Sequence, residues 1–147
     1  MNELEEDDSV LSVGPEGSSA RVMIVEDEAV LAEMTRLMLD RWGYQVAGVL
    51  ASGEEAVADA SRLCPDLILM DVRLDGEIDG LEAARRIAGF CATPVLFTTG
   101  YGHVVGEEEL RWLGARSLVL SKPVSPQVLR EAIERLLSPD REAGCPR

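Results

Sequence analysis

The residues able to do chemistry in this chain lie where apolar runs end. Glu26, Asp27 and Glu28 follow "RVMIV" (21–25), and Asp71 closes "DLILMD" (66–71). Thr98, Thr99, Gly100, Tyr101 and Gly102 follow "PVLF", and Lys122 with Pro123 ends "SLVLS" (117–121). A carboxylate directly after four apolar residues, Leu67 to Met70, is costly to bury unless something pairs with it. Carboxylates gathered in one place repel each other. A hard divalent cation such as Mg²⁺, held by one or two carboxylates and completed by water, is the usual remedy. An aspartate beside Mg²⁺ and a lysine is equipped to attack a phosphoryl group and hold it as an aspartyl phosphate. The metal and Lys122 would neutralise charge on the transferred oxygens, and the Thr99 hydroxyl could bind one of them.

Groups so far apart in sequence meet only if the segments behind them run side by side with the same ends together. The pattern supplies such segments. Short β-rich runs at 21–25, 44–50, 66–71, 93–99 and 117–121 alternate with helical patterns at 29–42, 53–63, 80–90, 107–114 and 125–137. In the first helix Val30, Met34, Leu37, Met38 and Trp42 recur at helical spacing and are expected to face the core. Ser52 and Ser125 are expected N-caps, the latter followed by Pro126 at the first helical position, and the helix at 80–90 is expected to start at Asp79 or Gly80. Strand–helix alternation implies a parallel sheet covered by helices on both faces, an α/β domain. In such sheets ligands bind beyond the carboxyl ends of the strands, near the point where strand order reverses. The acids, Thr99 and Lys122 all stand at those ends.

At 147 residues, 46% hydrophobic and 28% charged, the chain suits one globular domain. No apolar run reaches the roughly 18 residues that cross a bilayer, and the start of the chain lacks the pattern of a signal peptide. A cytoplasmic location is expected. A net charge of −13 without a basic cluster disfavours nucleic acid as a partner. Cys64, Cys91 and Cys145 share no close spacing, which argues against a disulfide framework or a zinc site. Residues 1–20 hold six acids and no base and are expected to form a disordered tail. Residues 139–147 form an expected flexible tail, leaving 21–138 as the domain. The single histidine, His103, lies in a glycine-rich loop and reads as an ordinary exposed residue.

Taken in order, "VMIVEDE" (22–28), "DLILMDVRLDGEIDG" (66–80), "PVLFTTG" (94–100) and "SKPV" (121–124) resemble the receiver domain of response regulators in two-component signalling. The resemblance covers roughly residues 20 to 138. It implies a flavodoxin-like (βα)5 fold with strand order 2-1-3-4-5. It implies that Asp71 is the phosphoacceptor and that Glu26 and Asp27 are the acidic pair holding Mg²⁺, with Asp27 the direct ligand. The Asp71 carboxylate and the backbone carbonyl of Arg73 would complete the protein ligands. Thr99, Gly100 and Lys122 match the phosphoryl-binding and switch positions, and Lys122–Pro123 matches a cis peptide bond. Arg73 and Tyr101 would flank the pocket and shield the acyl phosphate. The donor would be a phosphohistidine on a sensor histidine kinase or phosphotransfer protein. With no output domain expected after the last helix, the signal would pass to a downstream protein target by contact. Catalysis would be limited to the protein's own phosphorylation and dephosphorylation.

The pattern departs from the family in three places. "DVRLDGEIDG" is about one residue longer than usual, Val119 stands where an aromatic is common, and the stretch from Gly114 to Lys122 is also about one residue longer. "FTTGYG" resembles a subset of stand-alone regulators carrying Phe-x-Thr-Gly-Tyr-Gly. With Val119 so small, the signal is expected to travel through the loop after Thr99. Two other functions fit the same fold. A small phosphatase would turn over an aspartyl phosphate, but it usually needs a second acid where this chain has Arg73. An unphosphorylated interaction module would bind no Mg²⁺ and take no phosphoryl group.

Overall fold

The computed structural model describes residues 19–100, 106 and 117–138. Most of the expected N-terminal tail, the helix expected at 107–114, Tyr101, His103, Trp112, Cys145 and the expected tail at 139–147 lie outside the described residues. The strands are β1 (Arg21–Val25), β2 (Gln45–Leu50), β3 (Leu67–Asp71), β4 (Val95–Thr99) and β5 (Ser117–Ser121). The helices are α1 (Ala29–Arg41), α2 (Gly53–Leu63), α3 (Gly80–Ala88) and α4 (Pro126–Leu136). All strands run parallel, in the order β2-β1-β3-β4-β5. This is the flavodoxin-like order 2-1-3-4-5.

Alternation along the strands divides the core in two. Met23, Val25, Ile68, Met70 and Phe97 pack with α2 and α3, while Val22, Ile24, Leu67, Leu69 and Leu96 pack with α4 and Leu39 of α1. Every residue of the central strand β3 is buried, which is why its sequence reads as unbroken hydrocarbon. Order reverses between β1 and β3, so the crevice for a ligand opens at their carboxyl ends. Glu26, Asp27 and Asp71 stand there.

Side-chain caps fix three helix starts. Ser52 accepts from the Glu55 amide, Asp79 from Glu82 and Ser125 from Val128. Each such cap stabilises by about 1 kcal/mol. Pro126 begins α4, where its missing N–H costs nothing. Helix α2 ends on Cys64 in the left-handed region, φ 47°.

One expectation about packing is corrected. Val30, Met34 and Leu37 of α1 point to solvent, with 72%, 53% and 53% of their surface exposed. The inward face carries Ala32 and Leu39, with Met38 and Trp42 half-buried at its edge. Helix α1 has two apolar stripes, and the one carrying Ala32, Met38, Leu39 and Trp42 faces inward. The Trp42 ring instead lies under the Arg130 guanidinium of α4, 5.5 Å from its centroid. The edge strands β2 and β5 are only partly buried, since each has a sheet neighbour on one side alone.

Candidate functional site

β1, β3 and β5 each deliver charge to the same crevice. The backbone sets this up before any side chain acts. The Glu26 amide donates to Leu50 O, and the Lys122 amide donates to Thr99 O, closing the tops of adjacent strands together. Gly80 N donates to Val72 O, and Gly80 approaches so closely that a Cβ there would overlap the Asp71 carbonyl oxygen. Only glycine lets α3 begin against the strand that carries Asp71.

The Asp71 side chain is 6% exposed and well partnered. One carboxylate oxygen accepts from Lys122 Nζ at 3.1 Å, and the other from the Arg73 amide at 3.2 Å. Lys122, the chain's only lysine, also lies 3.6 Å from Glu26 Oε1. The other Glu26 oxygen accepts from the Glu28 amide at 3.1 Å. Asp27 Oδ2 accepts from the Asp75 amide at 3.1 Å. Carboxylate oxygens of Glu26, Asp27 and Asp71 all lie within 4.8 Å of one another.

The electrostatics follow from one cation among three acids. Burial pushes the Glu26 carboxyl above its ordinary value, the neighbouring Asp71 charge adds to the rise, and the Glu28 amide opposes it. Burial alone would lower the Lys122 ammonium, but its hydrogen bond to Asp71 and the charges of Asp71 and Glu26 leave it raised. Lys122 is therefore fully charged near neutrality. The donor set is all oxygen, partly desolvated and negative on balance, which fits a hard divalent cation such as Mg²⁺.

A cleft of about 490 Å³ opens over the cluster, lined by Asp27, Glu28, Asp71, Arg73, Gly100 and Lys122 among others. Arg73 is exposed on its rim. Thr99 is buried at 3% exposure, and its hydroxyl has no hydrogen-bond partner among the described residues. Such an orphan costs about 1–3 kcal/mol, so it stands ready for an acceptor. The Lys122–Pro123 peptide bond is cis. Val119 pairs with Phe97 across the sheet and packs against the α2–α3 core. The structure thus gathers Asp27, Asp71, Arg73, Gly100 and Lys122 around one cleft, with Glu26 beside Lys122 in the acidic cluster and Thr99 bonded to Lys122 through the backbone. Tyr101 lies outside the described residues.

A family model for the response regulator receiver domain matches residues 22–134. The chain belongs to the response-regulator receiver family. It is similar to the transcriptional regulatory protein PdtaR of Mycobacterium tuberculosis, 37% identical over 122 residues, covering 83% of this chain and 58% of PdtaR. It is also similar to the transcriptional regulatory protein ZraR of Salmonella typhimurium, 32% identical over 125 residues, covering 84% of this chain and 28% of ZraR. The chain therefore spans little more than half the length of one relative and about a quarter of the other. Among solved structures, the signal receiver domain of a modulated diguanylate cyclase from Desulfovibrio desulfuricans G20 superposes with a TM-score of 0.73 at 37% identity. That match covers 82% of this chain and 94% of the other. A CheY-like receiver domain protein from Methanospirillum hungatei JF-1 gives 0.71 at 26% identity, covering 82% and 94%. Receiver domains accept phosphoryl groups from histidine kinases, bind Mg²⁺ at an acidic pocket and act on downstream targets.

Sequence reasoning missed two contacts that hold the loop beside the receiver domain's site. The Asp75 amide holds Asp27, and Glu54 of α2 holds the same loop from its far side. The signal available was the long "DVRLDGEIDG" segment. Its conformation depends on Gly76, at φ 114°, and on a partner 23 residues away.

Proposed function

We propose that this receiver domain is a phosphorylated signalling switch whose acceptor is Asp71. The observation that carries this reading is the buried Asp71 carboxylate, paired with Lys122 and set beside Glu26 and Asp27 under an open cleft. Glu26, Asp27, Asp71 and the Arg73 carbonyl would hold Mg²⁺. When bound, the ion neutralises the acids and the oxygens of an incoming phosphoryl group. An Asp71 oxygen attacks phosphorus, and the phosphorus–nitrogen bond to the donor's imidazole breaks. The bond's electron pair returns to that nitrogen, which takes up a proton. Lys122 Nζ stays close to the new acyl phosphate and stabilises its charge. The Thr99 hydroxyl donates to a phosphoryl oxygen and gains the partner it lacks, with the Gly100 backbone lining the pocket. Arg73 on the rim, with Tyr101, would slow attack by water.

The phosphoryl donor would be a sensor histidine kinase or phosphotransfer protein, and output would pass by contact to a downstream protein. No described helix is long and apolar enough to cross a membrane. The phosphatase alternative lacks a second acid two residues after Asp71, where Arg73 stands. The test is labelling by a small phosphodonor such as acetyl phosphate with Mg²⁺. Wild type should gain one phosphoryl mass on Asp71, and Asp71→Asn should gain none. Equal labelling of that variant would show that the acceptor is another residue.

A further inference from the structure

The loop between β3 and α3 is tied at both ends, and only one tie belongs to the acidic cluster. Near the cluster, Asp71 holds the Arg73 amide and Asp27 holds the Asp75 amide. At the far end the tie is Glu54, the second residue of α2. Its Oε2 accepts from the Glu77 amide at 2.7 Å and the Ile78 amide at 3.3 Å. The fit around this contact is close. Gly76 has φ 114°, and a Cβ there would come within 2.7 Å of Glu54 Oε1. A Cβ on Gly53 would sit 2.9 Å from the Ile78 side chain. Helix α2 therefore docks directly onto the turn at 76–78. The Glu54 carboxyl lies below its usual range because it accepts its own amide and that of Glu77, so it is charged at neutral pH.

We infer that Glu54 is a positioning residue for the metal site, clamping the 76–78 turn so that the Arg73 carbonyl and the Asp75–Asp27 contact hold their places. The inference rests on reading the acidic cluster as the Mg²⁺ site. The loop has an extra residue relative to the common pattern and a left-handed glycine in its middle. Without an anchor, the segment from Arg73 to Asp75 would sample more conformations, and a metal ligand supplied by its backbone would be poorly fixed. Both clamped amides go to a single Glu54 oxygen, so a glutamine carbonyl can replace it while an alanine cannot.

The experiment compares wild type, Glu54→Ala and Glu54→Gln by Mg²⁺ titration of melting temperature, with amide exchange and acetyl-phosphate labelling read in parallel. Glu54→Ala should raise the Mg²⁺ concentration at half-effect roughly tenfold, the low end of the cost of losing a partner behind a metal ligand. Its Glu77 and Ile78 amides should exchange faster, yet its labelling rate at saturating Mg²⁺ should stay near wild type. Glu54→Gln should restore both Mg²⁺ affinity and amide protection. Unchanged Mg²⁺ affinity in Glu54→Ala, with those amides deprotected, overturns the positioning role while leaving the metal site standing. A wild type that shows no Mg²⁺ response at all overturns the metal site itself, and the clamp's role with it.

Discussion

Replacing Asp27 with asparagine should stabilise the Mg²⁺-free receiver domain and cost it the response to Mg²⁺. The reasoning starts from distance. Oxygens of Glu26, Asp27 and Asp71 lie within 4.8 Å of each other. Two unit charges that far apart repel by about 3.5 kcal/mol at an effective dielectric of ~20 and about 0.9 kcal/mol in bulk water. Asp27 is half-exposed, so the lower end applies, about 1 kcal/mol for each of its two neighbours. Lys122 offsets part of this, because its ion pairs with Asp71 and Glu26 reduce the field those carboxylates exert on Asp27. Asparagine keeps an acceptor for the Asp75 amide, though the bond weakens by up to about 1 kcal/mol once the charge is gone. The net gain is at most about 1 kcal/mol, or up to about 4 °C in melting temperature for a domain of this size.

On the proposed reading Mg²⁺ should reverse the order. An ion that binds only the folded state adds about 1.4 kcal/mol at ten times its Kd and about 2.7 kcal/mol at a hundred times. On that reading wild type should receive this gain and Asp27→Asn little of it. The two melting curves, followed by circular dichroism with EDTA and then with increasing MgCl2, should cross. A variant less stable than wild type in EDTA, or one that rises with Mg²⁺ as wild type does, would refute the repulsive cluster and the role of Asp27.

Thr99→Val keeps the shape and deletes the orphaned hydroxyl, so the unphosphorylated domain should gain about 1 kcal/mol by chemical denaturation. The same variant should be stabilised less than wild type by beryllofluoride, a phosphoryl mimic. Gly80→Ala should lose about 2 kcal/mol, because its Cβ overlaps the Asp71 carbonyl, and labelling of Asp71 should slow with it. The Mg²⁺-induced rise in melting temperature should shrink as pH falls from about 7 toward about 5. Proton and metal compete for Glu26, whose folded-state pKa is raised, so acid favours its protonated, metal-free form. Without Mg²⁺ the Glu26 contribution has the opposite sense. The folded state binds that proton more tightly than the unfolded chain, so this contribution is present at low pH and is lost as pH rises through the raised value.

Local chemistry explains which boundaries were legible. β1 and β5 match their expected spans because apolar runs stop abruptly at Glu26 and Lys122, and α2 matches because Ser52 caps it. β4 begins at Val95 rather than at 93 because Pro94 has no amide to give a ladder, and the Thr93 hydroxyl bonds Pro65 O instead. α3 stops at Ala88, before the expected 90, as Gly89 begins to unwind it. The facing of α1 was not legible. Two stripes of apolar residues satisfy the same periodicity, and the pattern alone does not say which of them packs on the sheet. The acids and the lysine of the site were legible because parallel strands bring their carboxyl ends to one edge. Glu54 was not, since nothing local ties an acid in α2 to a turn that Gly76 alone permits.

The charge count at the cleft explains why an acid can sit at the end of a buried strand. The three clustered carboxylates, Glu26, Asp27 and Asp71, and the Lys122 ammonium sum to −2 when all are ionised. Lys122 suffices to keep Asp71 in place, since it bonds that carboxylate directly, but it leaves the cluster repelling any further anion. On the proposed reading Mg²⁺ brings the count to zero, and an incoming phosphoryl group then approaches without net repulsion. Once attached, that group carries about −1.5 to −2 in place of the single charge it modified, so the crevice becomes negative again, with new acceptor oxygens exposed. Thr99 is the nearby buried donor without a partner among the described residues, and its backbone carbonyl is bonded to Lys122. A shift of the Thr99 hydroxyl toward the new oxygens would therefore pull on β4 and β5 together. The same imbalance that makes the unphosphorylated site weak would make the phosphorylated one informative to a partner.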